Sequence, residues 1–108
     1  MSVLDLSQSS VDITREICDI DSVSDREGPL ADLIERTMRE LPHLEVSRFG
    51  DTVVARTELG RDQRVVIAGH IDTVPIAGNL PTRLEGEGAD AVLRGRGTVD
   101  MKGGVAIR

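Results

Sequence analysis

The sequence predicts an α/β fold, in which helices cover a sheet that contains at least one fully buried strand. Two observations lead to this prediction. Apolar residues recur at helical spacing in two segments of the first half of the chain. Later, residues 64–69 (Arg-Val-Val-Ile-Ala-Gly) form a short apolar run of the kind found in strands that are buried on both faces. Helices that precede such a strand are typical of a sheet covered by helical layers.

The composition indicates a globular protein with an aliphatic core. The 108 residues are 39% hydrophobic and 30% charged, with a net charge of −6 and Phe49 as the single aromatic residue. Nucleic-acid binding relies on clustered basic side chains and aromatic stacking, so we expect no nucleic-acid partner. The first twenty residues hold no long apolar stretch, and the single Cys18 cannot form an internal disulfide. We therefore expect at most one domain, no membrane partner and a cytoplasmic location.

Two helices are predicted near the start of the chain. In residues 7–20, Val11, Ile17 and Cys18 fall near helical spacing after polar residues that favour a helix start. Cys18 lies on the apolar stripe, so we expect a core position for it. The second helix ends before Pro42. Its apolar positions, at i, i+3 and i+4, are Leu30, Leu33, Ile34, Met38 and Leu41.

Strands follow the second helix. Residues 44–48 and 52–57 flank a Gly-Asp turn and are rich in alternating or β-branched side chains, which predicts a hairpin or two short strands. The buried strand at residues 64–69 comes next. A connection rich in glycine and proline then contains a strand-like piece at residues 91–94, and a further helix opens at residues 103–107.

These elements do not complete a covered sheet. A strand buried on both faces needs neighbouring strands and helices on each side. Ordering each residue costs about 1.5 kcal/mol of conformational entropy, which a sheet left open on one face does not recover. We therefore expect residues 1–108 to be the amino-terminal portion of a larger domain.

The first candidate motif is Gly69-His70-Ile-Asp72-Thr-Val-Pro75, at the end of the predicted buried strand. In extended backbone, residues i and i+2 point to the same side, so His70 and Asp72 can project together. Asp72 could orient His70 as a metal ligand, or the pair could act as a general base with its orienting acid. A loop histidine that merely hydrogen-bonds a nearby acid is the third interpretation.

The second candidate motif is Gly95-Arg-Gly97-Thr-Val-Asp100-Met-Lys102-Gly-Gly104. A tight glycine turn into a helix capped by Asp100 is one interpretation. A phosphate cradle is disfavoured, because Asp100 stands where a dinucleotide loop needs glycine and Lys102 is not followed by Ser or Thr. A carboxylate would instead attract a cation. If the two loops converge, His70 and Asp100 offer donors suited to zinc, cobalt or manganese.

Other polar residues give weaker signals. His43 follows Pro42 and is interpreted as a solvated loop residue. The acidic residues Asp19, Asp21 and Asp25 lack the glycine and closing glutamate of a calcium loop, so we interpret them as solvated.

Taken together, the His70 and Asp100 motifs resemble the paired signatures of the M20 family of zinc-dependent aminoacyl hydrolases. That family includes carboxypeptidases, aminoacylases, acetylornithine deacetylases and succinyl-diaminopimelate desuccinylases. Residues 76–83 look most like the bacterial desuccinylases. The resemblance implies the amino-terminal part of a zinc-aminopeptidase-like, three-layer α/β/α catalytic domain.

The resemblance also implies roles for individual residues. His70 would bind one metal ion, Asp100 would bridge two, and Asp72 would be the catalytic-site acid that orients His70. A cis peptide bond is implied after Asp100. The cofactor would be Zn²⁺, two ions per full-length subunit, with Co²⁺ as a possible substitute. The glutamate that activates water in the family, and the lid domain through which subunits pair as homodimers, match no position of this sequence.

The implied reaction is hydrolysis of the amide bond of a small N-acyl amino acid. The first expectation is N-succinyl-L,L-diaminopimelate, giving succinate and diaminopimelate for lysine biosynthesis, with the 108-residue chain inactive by itself. One alternative is another deacylase or dipeptidase of the family, such as an acetylornithine deacetylase. The other is a non-catalytic module that binds a small anion.

Overall fold

The structure, a computed structural model, describes residues 2–107. Met1 and Arg108 lie outside the described residues. In chain order the elements are α1 (Ser10–Cys18), α2 (Gly28–Arg39), β1 (Glu45–Phe49), β2 (Thr52–Arg56), β3 (Arg83–Glu85), a 3₁₀ turn (Gly88–Asp90), β4 (Val92–Arg94), a helical turn (Thr98–Lys102) and α3 (Gly103–Val105). The mixed α/β composition predicted from the sequence is confirmed.

Both predicted helices are confirmed. The Ser9 hydroxyl caps α1 by accepting the backbone N–H of Asp12 at 3.1 Å, and Pro29 occupies the first turn of α2, where its missing N–H is tolerated. The apolar faces of the helices meet in the core. That core contains Leu4, Ile13, Ile17, Leu30, Leu33 and Ala106.

The strands form two separate antiparallel hairpins. β1 pairs with β2 as predicted, closing on the pair Phe49 and Thr52. β4 confirms the strand predicted at residues 91–94, but its partner β3 was not predicted. The helix expected at residues 103–107 is present as the short α3.

The prediction of a buried strand at residues 64–69 is wrong. This segment forms no strand, and Val65, Val66 and Ile67 are 89%, 78% and 96% exposed. Burial on both faces requires a strand on each side, and the described residues pair only within the two hairpins and at one isolated bridge. Apolar sequence alone therefore does not bury this segment.

The isolated bridge joins the segment after α1 to the first candidate motif. Val23 and Thr73 form a parallel bridge, which holds residues 22–24 beside the end of the first candidate motif. The backbone N–H of Thr73 donates to the Ser22 carbonyl, and that of Ser24 donates to the Thr73 carbonyl, both at 3.0 Å. Among the helices formed by residues 2–107, none is long and apolar enough to cross a membrane.

Candidate metal site

The two candidate loops converge on one pair of side chains. His70 Nε2 lies 2.9 Å from Asp100 Oδ1, although thirty residues separate them in the chain. On the other side of the ring, His70 Nδ1 lies 3.2 Å from Asp72 Oδ1 and 3.2 Å from the Asp72 carbonyl oxygen. The structure thus brings together the three residues singled out in the sequence, with Asp72 on the side of the imidazole away from Asp100.

The Asp72 carboxylate is itself held by a second contact. The Ser24 hydroxyl donates a hydrogen bond of 2.6 Å to Asp72 Oδ2. This bond is the main cause that lowers the pKa of Asp72, because it stabilises the charged form; the neighbouring His70 acts in the same direction. The result is a chain of contacts from Ser24 through Asp72 and His70 to Asp100.

The imidazole lies in an electrostatic field that favours its charged form. The hydrogen bond with Asp100 is the largest cause that raises the pKa of His70, and the contacts with Asp72 add to it. The His70 and Asp100 side chains are 48% and 84% exposed, so both remain accessible to solvent. A divalent cation would compete with the proton for Nε2.

Glycines shape the turn that presents Asp100. Gly97 has a φ of 87°, and a Cβ there would lie 2.8 Å from Thr73 Cγ2. A Cβ on Gly103 would collide with the Thr98 carbonyl oxygen. The peptide bond after Asp100 is cis, as the family resemblance implied.

The capping interpretation of Asp100 is wrong. The residue before α3 is Lys102, and no side chain makes a capping hydrogen bond at that helix start. The Asp100 carboxylate contacts the His70 ring instead. It is therefore available as a ligand oxygen rather than committed to backbone N–H groups.

Sequence reasoning missed the structural part played by Lys102, which it considered only as a phosphate-loop lysine. This side chain is 1% exposed, and its Nζ donates to the carbonyl oxygens of Ile17 at 2.9 Å and Ile20 at 3.0 Å. Burial lowers its pKa. No sequence signal marks this contact, because the acceptors are backbone carbonyls more than eighty residues away.

The weaker candidates have mixed outcomes. Cys18 is fully buried and His43 is exposed, as expected. Asp19 is exposed, as expected, but its carboxylate also accepts the backbone N–H of Thr82 at 2.7 Å and the Thr82 hydroxyl at 3.2 Å. Asp21 accepts the backbone N–H of Val23 at 3.1 Å, a local turn contact.

The donors fit a divalent metal ion in kind but not in number. Ligand bonds of about 2.0–2.2 Å to one ion place an imidazole nitrogen and a carboxylate oxygen roughly 3–3.5 Å apart, close to the 2.9 Å observed between His70 and Asp100. Within residues 2–107, however, no group of three His, Cys, Asp or Glu side chains is placed to hold a metal. The pair supplies one imidazole nitrogen and one carboxylate oxygen, fewer donors than a metal site needs.

A cleft lies beside the pair. Its volume is about 350 Å³, within the range of small-ligand pockets. His70, Asp72 and Asp100 line it together with Thr73 and Arg96. The structure thus places one imidazole and two carboxylates together at a solvent-accessible cleft of a mixed α/β protein.

Comparison with known proteins identifies the family. Residues 66–108 match peptidase family M20/M25/M40. The chain is 49% identical over 106 residues to a succinyl-diaminopimelate desuccinylase of Corynebacterium glutamicum, and 43% identical over 106 residues to a putative succinyl-diaminopimelate desuccinylase of Mycobacterium tuberculosis. These alignments cover 96% and 97% of this chain. The chain belongs to peptidase family M20/M25/M40.

A third relative is named for a different activity. A putative [LysW]-lysine/[LysW]-ornithine hydrolase of Thermococcus kodakarensis is 35% identical over 101 residues, which cover 93% of this chain. The chain spans only 28%, 29% and 27% of the length of these three relatives.

Proposed function

We propose that this chain supplies the first metal-binding loops of a hydrolase that cleaves the amide bond of a small N-acyl amino acid. The substrate proposed first is N-succinyl-L,L-diaminopimelate, which would give succinate and diaminopimelate for lysine biosynthesis. The observation that carries the proposal is the 2.9 Å contact between His70 Nε2 and Asp100 Oδ1 at an open cleft. The names of the two desuccinylase relatives support the choice of substrate.

Each side chain has a distinct proposed task. The neutral imidazole of His70 would hold one metal ion through Nε2, and the Asp100 carboxylate would be the group shared by two ions. Asp72 keeps the ring oriented through Nδ1, as carboxylates beside metal-binding histidines do. The chemistry supplied by bound Zn²⁺, with Co²⁺ as a substitute, is Lewis-acid polarisation of the scissile carbonyl and of water.

The finer fold and assembly expectations also stand as proposals. We propose that residues 1–108 correspond to the amino-terminal portion of a three-layer α/β/α catalytic domain. Family membership supports this arrangement. Two metal ions per full-length subunit, a homodimer and a cytoplasmic location complete the proposal.

A hybrid enzyme tests the function. In it, the aligned segment of this chain replaces its 106-residue counterpart in the Corynebacterium glutamicum relative. With Zn²⁺ present, we expect release of succinate from N-succinyl-L,L-diaminopimelate. His70→Ala should reduce kcat/KM by at least about a hundredfold, while His43→Ala, at an exposed loop histidine, should leave it unchanged.

The assay also separates the alternatives. A folded hybrid that cleaves N-acetylornithine faster than the succinyl substrate would favour another deacylase of the family. Equal activity of the His70→Ala and His43→Ala hybrids would contradict the assignment of the metal site. The 108-residue chain assayed by itself should show no turnover, because it brings too few ligands for a catalytic site.

A further inference from the structure

The chain has one lysine and it is buried. Twelve of its thirteen basic residues are arginines, and Lys102 is the exception. An ammonium group taken out of water costs free energy unless hydrogen bonds replace its hydration. At 1% exposure, Lys102 meets this need through two backbone carbonyl oxygens rather than through a carboxylate.

Those two carbonyls lie at the end of α1. Ile17 is in the last turn of the helix, and Ile20 follows it within three residues. The last carbonyls of a helix have no partner within it and carry partial negative charge, so an ammonium group binds them well. The contact joins this helix end to the Asp100 turn, which the 2.8 Å bond from the Lys102 N–H to the Gly97 carbonyl closes.

The residues that follow α1 hold the other loop. The buried Ser22 donates its hydroxyl to the Ile71 carbonyl at 2.6 Å, and Ser24 donates to Asp72 Oδ2 at 2.6 Å. The parallel bridge between Val23 and Thr73 lies between these contacts. The His70 loop and the Asp100 loop are thus fastened to one short stretch, residues 17–24.

We propose that residues 17–24 form a platform that sets the separation of His70 and Asp100, with Lys102 and Ser24 as its two positioning residues. This inference rests on the proposed function, because the two residues are proposed to hold His70 and Asp100 at the separation that metal binding requires. Lys102 fixes the carboxylate side and Ser24, through Asp72, fixes the imidazole side. Neither residue is assigned as a metal ligand.

Lysine suits this position better than arginine. Its compact ammonium carries three donors on a flexible stem, and two of them reach the two carbonyls. A guanidinium is planar and longer, so it cannot occupy the same point between the Ile17 and Ile20 oxygens.

The test is a Zn²⁺ titration of the 108-residue chain, followed by NMR at the ring signals of its two histidines. His43, in an exposed loop, reports nonspecific binding, and His70 reports the site. We expect Lys102→Met and Ser24→Ala each to weaken Zn²⁺ affinity at His70 by at least about tenfold, which corresponds to ~1.4 kcal/mol. The ring ¹⁵N signals of metal-free His70 should also move toward those of His43.

Two control variants separate positioning from stability. Ser47→Ala removes a hydroxyl that makes no hydrogen bond in the described part of the chain, and it should keep the wild-type affinity within twofold. Leu30→Ala opens a cavity in the core and lowers the urea midpoint, yet it should also keep the affinity. Wild-type affinity in Lys102→Met or Ser24→Ala would overturn the proposal, as would equal losses in the Leu30→Ala chain.

Two further outcomes concern a variant that does not fold and a wild-type chain that does not bind Zn²⁺. If Lys102→Met does not fold, Lys102→Arg takes its place with the same expected loss, and an unchanged affinity overturns the part assigned to the lysine. If Zn²⁺ does not shift wild-type His70 in the 108-residue chain, which brings only two of the ligands, the same titration is made with the hybrid enzyme, and an unshifted His70 there makes the proposed metal function fail. The ring ¹⁵N signals of the metal-free variants then decide the positioning role separately.

Discussion

At the scale of single residues, the buried thiol provides a reporter of unfolding. Cys18 is fully buried, and burial raises its pKa, so little thiolate is present or accessible in the native state. We expect iodoacetamide at pH 8 to label the native chain at least about a hundredfold more slowly than the urea-unfolded chain. Labelling rates within a few-fold of each other would contradict this burial.

Thr37 gives a second prediction at this scale. Its buried hydroxyl accepts the Leu4 N–H at 3.0 Å and donates to the Leu33 carbonyl at 2.7 Å. Thr37→Val leaves the Leu4 N–H without its acceptor, which should lower the free energy of unfolding by about 1–3 kcal/mol in urea titrations. The control is Thr14→Val, where the hydroxyl only donates to the Ser10 carbonyl, so a smaller loss is expected. Equal losses would refute the explanation.

Some contacts of the candidate site can be predicted from the sequence, and others cannot. The contact of His70 with Asp72 is local, since they lie two positions apart in the chain, whereas the approach of Asp100 to His70 was expected from donor chemistry and from the family resemblance of the two motifs. Lys102 and Ser24 escaped prediction, because their partners are a backbone carbonyl pair and a carboxylate from distant segments. Contacts of that kind depend on how elements pack, and residue type does not specify them.

At the scale of elements, the β1–β2 hairpin is tied to α2 by one arginine. The Arg48 guanidinium lies 2.9 Å from Asp32, 3.0 Å from Glu35 and 3.2 Å from Asp51, and its side chain is only 19% exposed. Such a network is better ordered than an isolated surface pair. It joins the hairpin to the helix in a protein without large aromatic side chains between them.

Replacing this arginine should loosen the hairpin. We expect Arg48→Met, which keeps much of the apolar stem, to lower the urea midpoint more than Arg56→Met, whose side chain is 48% exposed. The difference should shrink in 1 M salt, because salt screens the ion pairs. A larger effect of Arg56→Met would contradict the role assigned to Arg48.

Elements were predictable where their determinants are local. The amphipathic periods of α1 and α2 and the turn between β1 and β2 lie within short windows, so sequence pattern sufficed. β3 was missed because its three residues are all exposed and acquire a strand conformation only by pairing with β4. Residues 64–69 were assigned to a strand on apolar content, but burial of a strand depends on its neighbours.

At the scale of the whole molecule, the exposed apolar segment leads to a prediction about the exchange of its backbone N–H groups with solvent. In the 108-residue chain, the backbone N–H groups of Val65, Val66 and Ile67 should exchange with solvent at nearly unprotected rates, since the segment forms no ladder. In the hybrid with the Corynebacterium glutamicum relative, the same groups should be protected by at least about a thousandfold if they join a sheet. Equal exchange in both proteins would contradict the three-layer proposal.

The central claim is that His70 and Asp100 belong to one metal site, and anomalous X-ray diffraction from crystals of the hybrid grown with Zn²⁺ tests it most directly. We expect an anomalous peak at the zinc edge within about 2.0–2.2 Å of both His70 Nε2 and an Asp100 carboxylate oxygen. The peak at this position should be absent in the His70→Ala hybrid. Zinc bound only at other residues, with His70 and Asp100 still in direct contact as they are here, would contradict the account.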